Sequence, residues 1–151
     1  MTLYIDADGC PVVDNALRIA KKHGMEAVLL CDTAHDILRP GARTITVGKG
    51  ADSVDLALVN LLEAGDIAIT QDYGLAAMCL AKNAFALSQN GLEYTAQNID
   101  ALLSQRHVSQ KIRRTGGRVK GPRKRTIEQD AAFETALDSL LFRLEANKGG
   151  D

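Results

Sequence analysis

Apolar residues in this chain fall into two kinds of run, and their alternation sets the expected fold. Short apolar stretches of strand length recur at Leu3-Tyr4-Ile5, Ala27-Val28-Leu29-Leu30-Cys31, Ile67-Ala68-Ile69 and Phe85-Ala86-Leu87, and Thr44-Ile45-Thr46-Val47 reads as a further strand. Between them, apolar residues return at three- and four-residue steps. Val13, Ala16, Leu17 and Ala20 share one helical face, and Leu56, Val59 and Leu62 belong to a second helix. Strands that are apolar throughout, alternating with helices, predict an α/β fold with a parallel sheet covered on both faces.

The boundaries follow from local chemistry. Residues 2–6 read as the first strand, and Pro11 stands where its missing N–H costs a helix nothing. That helix runs to Gly24, with Lys21, Lys22 and His23 in its last turn. Gly48-Lys49-Gly50 is a turn, and Asp52-Ser53-Val54-Asp55 opens the next helix. The fourth strand spans 66–70 and ends at Gln71-Asp72, followed by a helix from Leu75 to about Lys82. Asn90-Gly91 is a hairpin signal that returns the chain through Leu92 to Tyr94. Thr95 to Arg106 reads as a further helix, and 106–125 as a Gly-rich basic loop. Thr126 and Gln129 match a capping box for a final packing helix over about 127–146, with Phe133, Leu137, Leu140, Leu141 and Leu144 at helical intervals.

With 151 residues, 46% of them hydrophobic, the chain is expected to be one domain with a real core. Trp is absent, so that core must be built mainly of Ala, Leu, Ile and Val. No apolar run approaches 18 residues and no basic-then-apolar leader opens the chain, so a cytoplasmic protein is expected. Cys10, Cys31 and Cys79 are odd in number and far apart, which fits reduced thiols. His23, His35 and His107 are isolated and read as surface or loop residues; without CxxC or HxxxH spacing, zinc is not indicated.

Charge is distributed unevenly. Nine of the 18 basic residues lie between Arg106 and Arg125 with no acid among them, which leaves nine against all 19 acids elsewhere. A basic strip beside an acidic body predicts a bound polyanion, with Arg113, Arg114, Lys120, Arg123, Lys124 and Arg125 reaching phosphates. No aromatics are interleaved there, so base stacking is not expected.

The acids that end strands or open helices carry the chemistry. Asp6 and Asp8 follow the first strand, Asp52 and Asp55 open a helix, and Asp72 follows the fourth strand. If the first and fourth strands are neighbours, Asp6, Asp8 and Asp72 converge on one crevice. Asp52 and Asp55, three apart, can lean the same way. Carboxylates without His or Cys suit a hard cation, Mg²⁺ or Mn²⁺, which activates water and clamps a phosphate oxygen. Each acid also has a structural reading. Asp52 and Asp72 are natural helix caps, Asp55 a first-turn acid and Asp8 a turn former. Thr70 either points its hydroxyl at the crevice or is an ordinary strand residue. Asp66, at the opposite edge of the sheet, is expected to be structural.

The stretches DADGCP, GADSVD, GDIAITQDYGLA, NGLEYT with NID, and TGG followed by basic residues and DAAF resemble the YaiI/YqxD family over nearly the whole chain. That family in turn resembles PIN-like nuclease domains. The resemblance implies a three-layer α/β/α fold with a mostly parallel central sheet, a C-terminal helical segment and a metal-binding acidic crevice. It implies that Asp6 ends strand one, Asp52 or Asp55 supplies the acid of the helix before strand four, and Asp72 ends strand four. Asp8 belongs to the family's own DxDxCP motif. The implied activity is Mg²⁺- or Mn²⁺-dependent phosphodiester cleavage, of RNA ahead of DNA, with Asp6, Asp8, Asp55 and Asp72 as catalytic residues. Two other readings stand beside it. Asp6-Ala7-Asp8-Gly9 resembles the first motif of haloacid-dehalogenase-like phosphohydrolases, with Asp6 as nucleophile, although Cys10 replaces the usual Thr. The third is a non-catalytic RNA-binding protein that keeps the acidic pocket.

Overall fold

β1 (Thr2–Asp6) is a central strand of a six-stranded sheet. The structure is a computed structural model that describes residues 1–32, 37–48, 53–105 and 124–149. On one side of β1 stand β2 (Glu26–Asp32) and then β3 (Arg43–Val47), on the other β4 (Ile67–Ile69), β5 (Phe85–Leu87) and β6 (Glu93–Tyr94). The order is β3-β2-β1-β4-β5-β6. All pairs are parallel except β5 with β6, the hairpin that Asn90-Gly91 announces.

The helices are α1 (Val13–Lys22), α2 (Ser53–Leu61), α3 (Tyr73–Ala81), α4 over 99–105 and α5 (Ile127–Gly149). They divide between the two faces of the sheet, giving three layers. Because successive strand residues face opposite ways, Leu3 and Ile5 point into one core and Tyr4 toward the other. The first core joins β1, β2 and β4 to Val13, Ala16, Ile19 and Ala20 of α1 and to Phe133, Leu137, Leu140, Leu141 and Leu144 of α5. The second joins Val28, Leu30, Ala68 and Ala86 to Leu58 of α2 and to Leu75, Ala76 and Cys79 of α3. Each fully buried Leu or Ile contributes about 1.5–3 kcal/mol.

Several local expectations hold in atomic detail. At the start of α5, Thr126 N donates to Gln129 Oε1 (2.9 Å) and Gln129 N to Thr126 Oγ1 (3.2 Å). Asp66 is buried and accepts from Thr2 N and Glu63 N, both at 2.9 Å, so it ties the amino ends of β1 and β4 together. All three cysteines are free. No described helix is long and apolar enough to cross a membrane.

Two expectations need correction. α1 begins at Val13 rather than Pro11, with Val12 at its N-cap and no side chain capping it. His23 is not a surface histidine: its side chain is only 4% exposed. It sits at the end of α1, with Nε2 2.6 Å from Asp138 Oδ1, Nδ1 2.7 Å from Glu145 Oε1, and its ring edge-on to Phe142. Beside it, Lys22 pairs with Asp138 and Arg18 with Glu134. These contacts fasten α1 to α5 over the first core. Residues 106–123 of the basic loop, which include His107, lie outside the described residues, as do His35 and Asp52.

Candidate functional site

The sheet winds outward from β1 in two directions, through β2 and β3 one way and through β4 and β5 the other. Where winding reverses, adjacent connections leave toward opposite faces and a crevice opens beyond the carboxyl ends of the strands. A cleft of about 350 Å³ lies there. Asp6, Asp8, Gly9 and Cys10 line it from β1, Ile69, Thr70 and Gln71 from β4, and Gln89 from beyond β5.

Strand register assembles its floor. Ile5 pairs with Ile69, so the next residues, Asp6 and Thr70, emerge side by side. Thr70 Oγ1 donates to Asp6 Oδ2 at 3.0 Å and accepts from Asp72 N at 3.0 Å. Asp72 Oδ1 in turn accepts from Leu75 N at 3.0 Å and caps α3. One buried hydroxyl therefore ties together two acids 66 positions apart in the chain. Asp8 turns toward β2, where its Oδ2 accepts from Asp32 N at 3.0 Å. The capping reading of Asp72 is thus met, while Asp8 lies in a turn closed by Cys10 N donating to the Ala7 carbonyl (3.2 Å) and sends its carboxylate across to β2. Asp8 lines the cleft, whereas Asp72 is not a lining residue and acts on Asp6 through its charge.

The Asp6 carboxyl is held above the usual carboxylate range. Burial is the largest cause; the Thr70 hydrogen bond opposes it, and the negative charges of Asp8 and then Asp72 add to the rise. Burial also pushes the Cys10 thiol up. Asp6 adds to that shift and the nearby Arg125 guanidinium works against it.

Not every expected residue joins this group. Asp55, half-buried on α2, does not line the cleft, and its charge acts on Cys79 of α3, whose thiol burial chiefly pushes up to about 12. Among the described residues, no three His, Cys, Asp or Glu side chains gather as a ligand set for a metal ion. The donor chemistry of the cleft nevertheless fits magnesium, which is commonly held by one or two carboxylates and otherwise by water and phosphate oxygens. Asp6 and Asp8 both line the cleft and supply such a pair.

Of the basic residues expected to reach phosphates, Arg113, Arg114, Lys120 and Arg123 lie outside the described residues. Lys124 is exposed. Arg125 is turned onto the protein, with Nε donating to Asp130 Oδ1 (2.5 Å), Nη1 to Asn90 Oδ1 (2.7 Å) and Nη2 to the Gln89 carbonyl (2.6 Å). Sequence reasoning passed over Cys10, Gln71 and Gln89 as cleft residues. A usable signal existed for the glutamines, since each stands two residues beyond the carboxyl end of a parallel strand.

Comparison with other proteins bears on the family. The UPF0178 protein of Exiguobacterium sibiricum is 56% identical over 141 residues, covering 93% of this chain and 96% of its own. That of Ruminiclostridium cellulolyticum is 50% identical over 149 residues, covering 99% of this chain and 96% of its own. That of Clostridium acetobutylicum is 46% identical over 145 residues, covering 95% and 98%. Among solved structures, Rae1 (YacP) from Bacillus subtilis, as its W164L mutant, aligns over 97% of this chain and 99% of its own. At 13% identity and a TM-score of 0.41, that likeness carries no argument about activity. Residues 4–143 match the family described as "Uncharacterized BCR, YaiI/YqxD family", and the chain belongs to it.

Proposed function

We propose that this protein is a divalent-metal-dependent phosphodiesterase acting on nucleic acid, RNA ahead of DNA, through the cleft between β1 and β4. The observation that carries this reading is the shared Thr70 hydroxyl, which holds Asp6 and the start of Asp72 at one mouth. Asp6 and Asp8 would hold Mg²⁺ or Mn²⁺, with Asp72 beside them. The bound ion supplies Lewis acidity and a water acidic enough to attack at neutral pH. Thr70 orients Asp6, and the bond from Leu75 N fixes Asp72 at the start of α3. Lys124, with Arg113, Arg114, Lys120 and Arg123, would attract the phosphate backbone. Asp52, outside the described residues, remains a candidate for completing the metal shell, whereas Asp55 does not line the cleft.

The test compares wild type with Asp6→Asn on labelled single-stranded RNA and DNA, with Mn²⁺, Mg²⁺ or chelator. Cleavage by wild type that needs the metal and vanishes in a folded Asp6→Asn variant is expected. Equal rates for the two proteins, or no cleavage with either ion, would overturn the reading. Phosphate-monoester turnover with a beryllofluoride adduct on Asp6 would point instead to the dehalogenase-like phosphohydrolase. Salt-sensitive RNA binding that needs no metal would point to the non-catalytic protein.

A further inference from the structure

The acids at the floor of the cleft leave its second wall unexplained. Ile69 and Leu87 are partners across β4 and β5. Two residues beyond each, on the same side of the sheet, come Gln71 and Gln89, and both line the cleft. Gln89 N donates to Gln71 Oε1 at 2.8 Å. That bond fixes which way the Gln71 amide is turned: its oxygen faces the Gln89 backbone, and its NH₂ is directed elsewhere. The main chain at Gln89 is held from behind by Arg125, which also holds Asn90 and reaches back to Asp130 on the first turn of α5. A wall of neutral amides, braced by a guanidinium that spans two elements, is more than solvation requires.

We propose that Gln71 and Gln89 select the substrate by hydrogen-bonding the base of one nucleotide, and that Arg125 is a positioning residue that holds this wall. The inference rests on the phosphodiesterase reading for its substrate class. A coplanar donor and acceptor, which the Gln89 amide offers, is the pattern that reads a base edge, and Gln71, its oxygen engaged by Gln89 N, adds a donor. Among the described residues no aromatic side chain lines the cleft, so selection falls to hydrogen bonds rather than stacking. The volume of about 350 Å³ suits a single nucleoside rather than a duplex. Anionic phosphate is repelled by Asp6 and Asp8 without a cation, whereas a neutral base is not.

The experiment titrates adenosine, cytidine, guanosine and uridine into the ¹⁵N-labelled protein and follows the side-chain amide signals of Gln71 and Gln89. These ligands are uncharged, so the measurement depends on neither metal nor cleavage. One nucleoside is expected to shift both signals and to bind at least about tenfold more tightly than the weakest of the four. Gln89→Ala should compress that ratio to within about threefold, and Arg125→Ala should do the same. Arg125→Lys should behave like Arg125→Ala, because an ammonium keeps the charge but cannot span the three acceptors. Equal affinity for all four nucleosides, or shifts that bypass both glutamines, would overturn the proposal. Full discrimination in Arg125→Lys would overturn the positioning role. Selective binding by a protein that cleaves nothing would sink the phosphodiesterase reading alone. A cleaving wild type whose base preference survives Gln89→Ala would sink the wall alone.

Discussion

Replacing Gly91 by alanine tests how tightly the β5–β6 turn is seated on α5. Gly91 has φ +91°, and a Cβ there would lie 2.6 Å from the Ala132 carbonyl oxygen, 2.9 Å from its carbon and 3.3 Å from Ala136 Cβ. The close atoms are backbone, so no side chain can swing aside. Relief to an ordinary contact near 3.4 Å needs a displacement of about 0.8 Å between the turn and the helix. Overpacking of this kind costs about 1–3 kcal/mol, and placing alanine at positive φ adds about 1–2 kcal/mol. Gly65 separates the two contributions: its φ is +89°, and a Cβ there meets nothing within 4 Å. Gly65→Ala should therefore show the backbone strain alone, and Gly91→Ala the strain plus the collision. At about 2–4 °C per kcal/mol for a chain of this size, thermal melts should place Gly91→Ala roughly 2–12 °C below Gly65→Ala. Coincident melting temperatures would refute the close seating. Because the same turn carries Gln89 and Asn90, both bound by Arg125, its displacement should also loosen the amide wall of the cleft.

Three further perturbations probe other parts of the chain. Thr70→Val removes a buried hydroxyl that donates to Asp6 and accepts from Asp72 N, so it should cost about 2–4 kcal/mol; urea unfolding with an unchanged midpoint would show that the hydroxyl does not organise the cleft. Asp6→Asn should stabilise the fold at neutral pH, because a carboxyl whose pKa is raised on folding penalises the native state above that pKa and not below 3.8. The gain should fade as pH falls toward 3.8, and a gain independent of pH, read from melts across the acid range, would contradict the electrostatic account. For His23, burial pulls the imidazole down, but hydrogen bonds to Asp138 and Glu145 outweigh it and the net shift is upward. Its contribution is fully present below 6.5 and lost as pH rises through the folded-state pKa. The stability advantage of wild type over His23→Gln should therefore shrink from pH 6 toward alkaline pH in paired melts.

What could be read from the sequence and what could not divide along contact distance. The strands were legible because their apolar runs are contiguous, and the α5 cap because Thr126 and Gln129 are three residues apart. The meeting of Asp6 with Asp72 was legible as a conditional: it needed β1 and β4 to be neighbours, which crossover handedness favours and the register supplies. His23 was misread because nothing near it in sequence distinguishes a buried histidine. Its partners Asp138 and Glu145 lie more than a hundred residues away, on a helix that only the folded chain lays across α1. Arg125 shows the same limit from the other side. Counted in a basic run it belongs to the polyanion surface, yet in space Asp130, Asn90 and Gln89 claim its guanidinium. Charge patterning reports where a polyanion is drawn, whereas the role of a single arginine depends on which acceptors the fold brings within reach. The amino-terminal half of α5 thus supports the cleft twice, through Asp130, which holds Arg125, and through the seat of Gly91 on Ala132 and Ala136, although none of these residues lines the cleft.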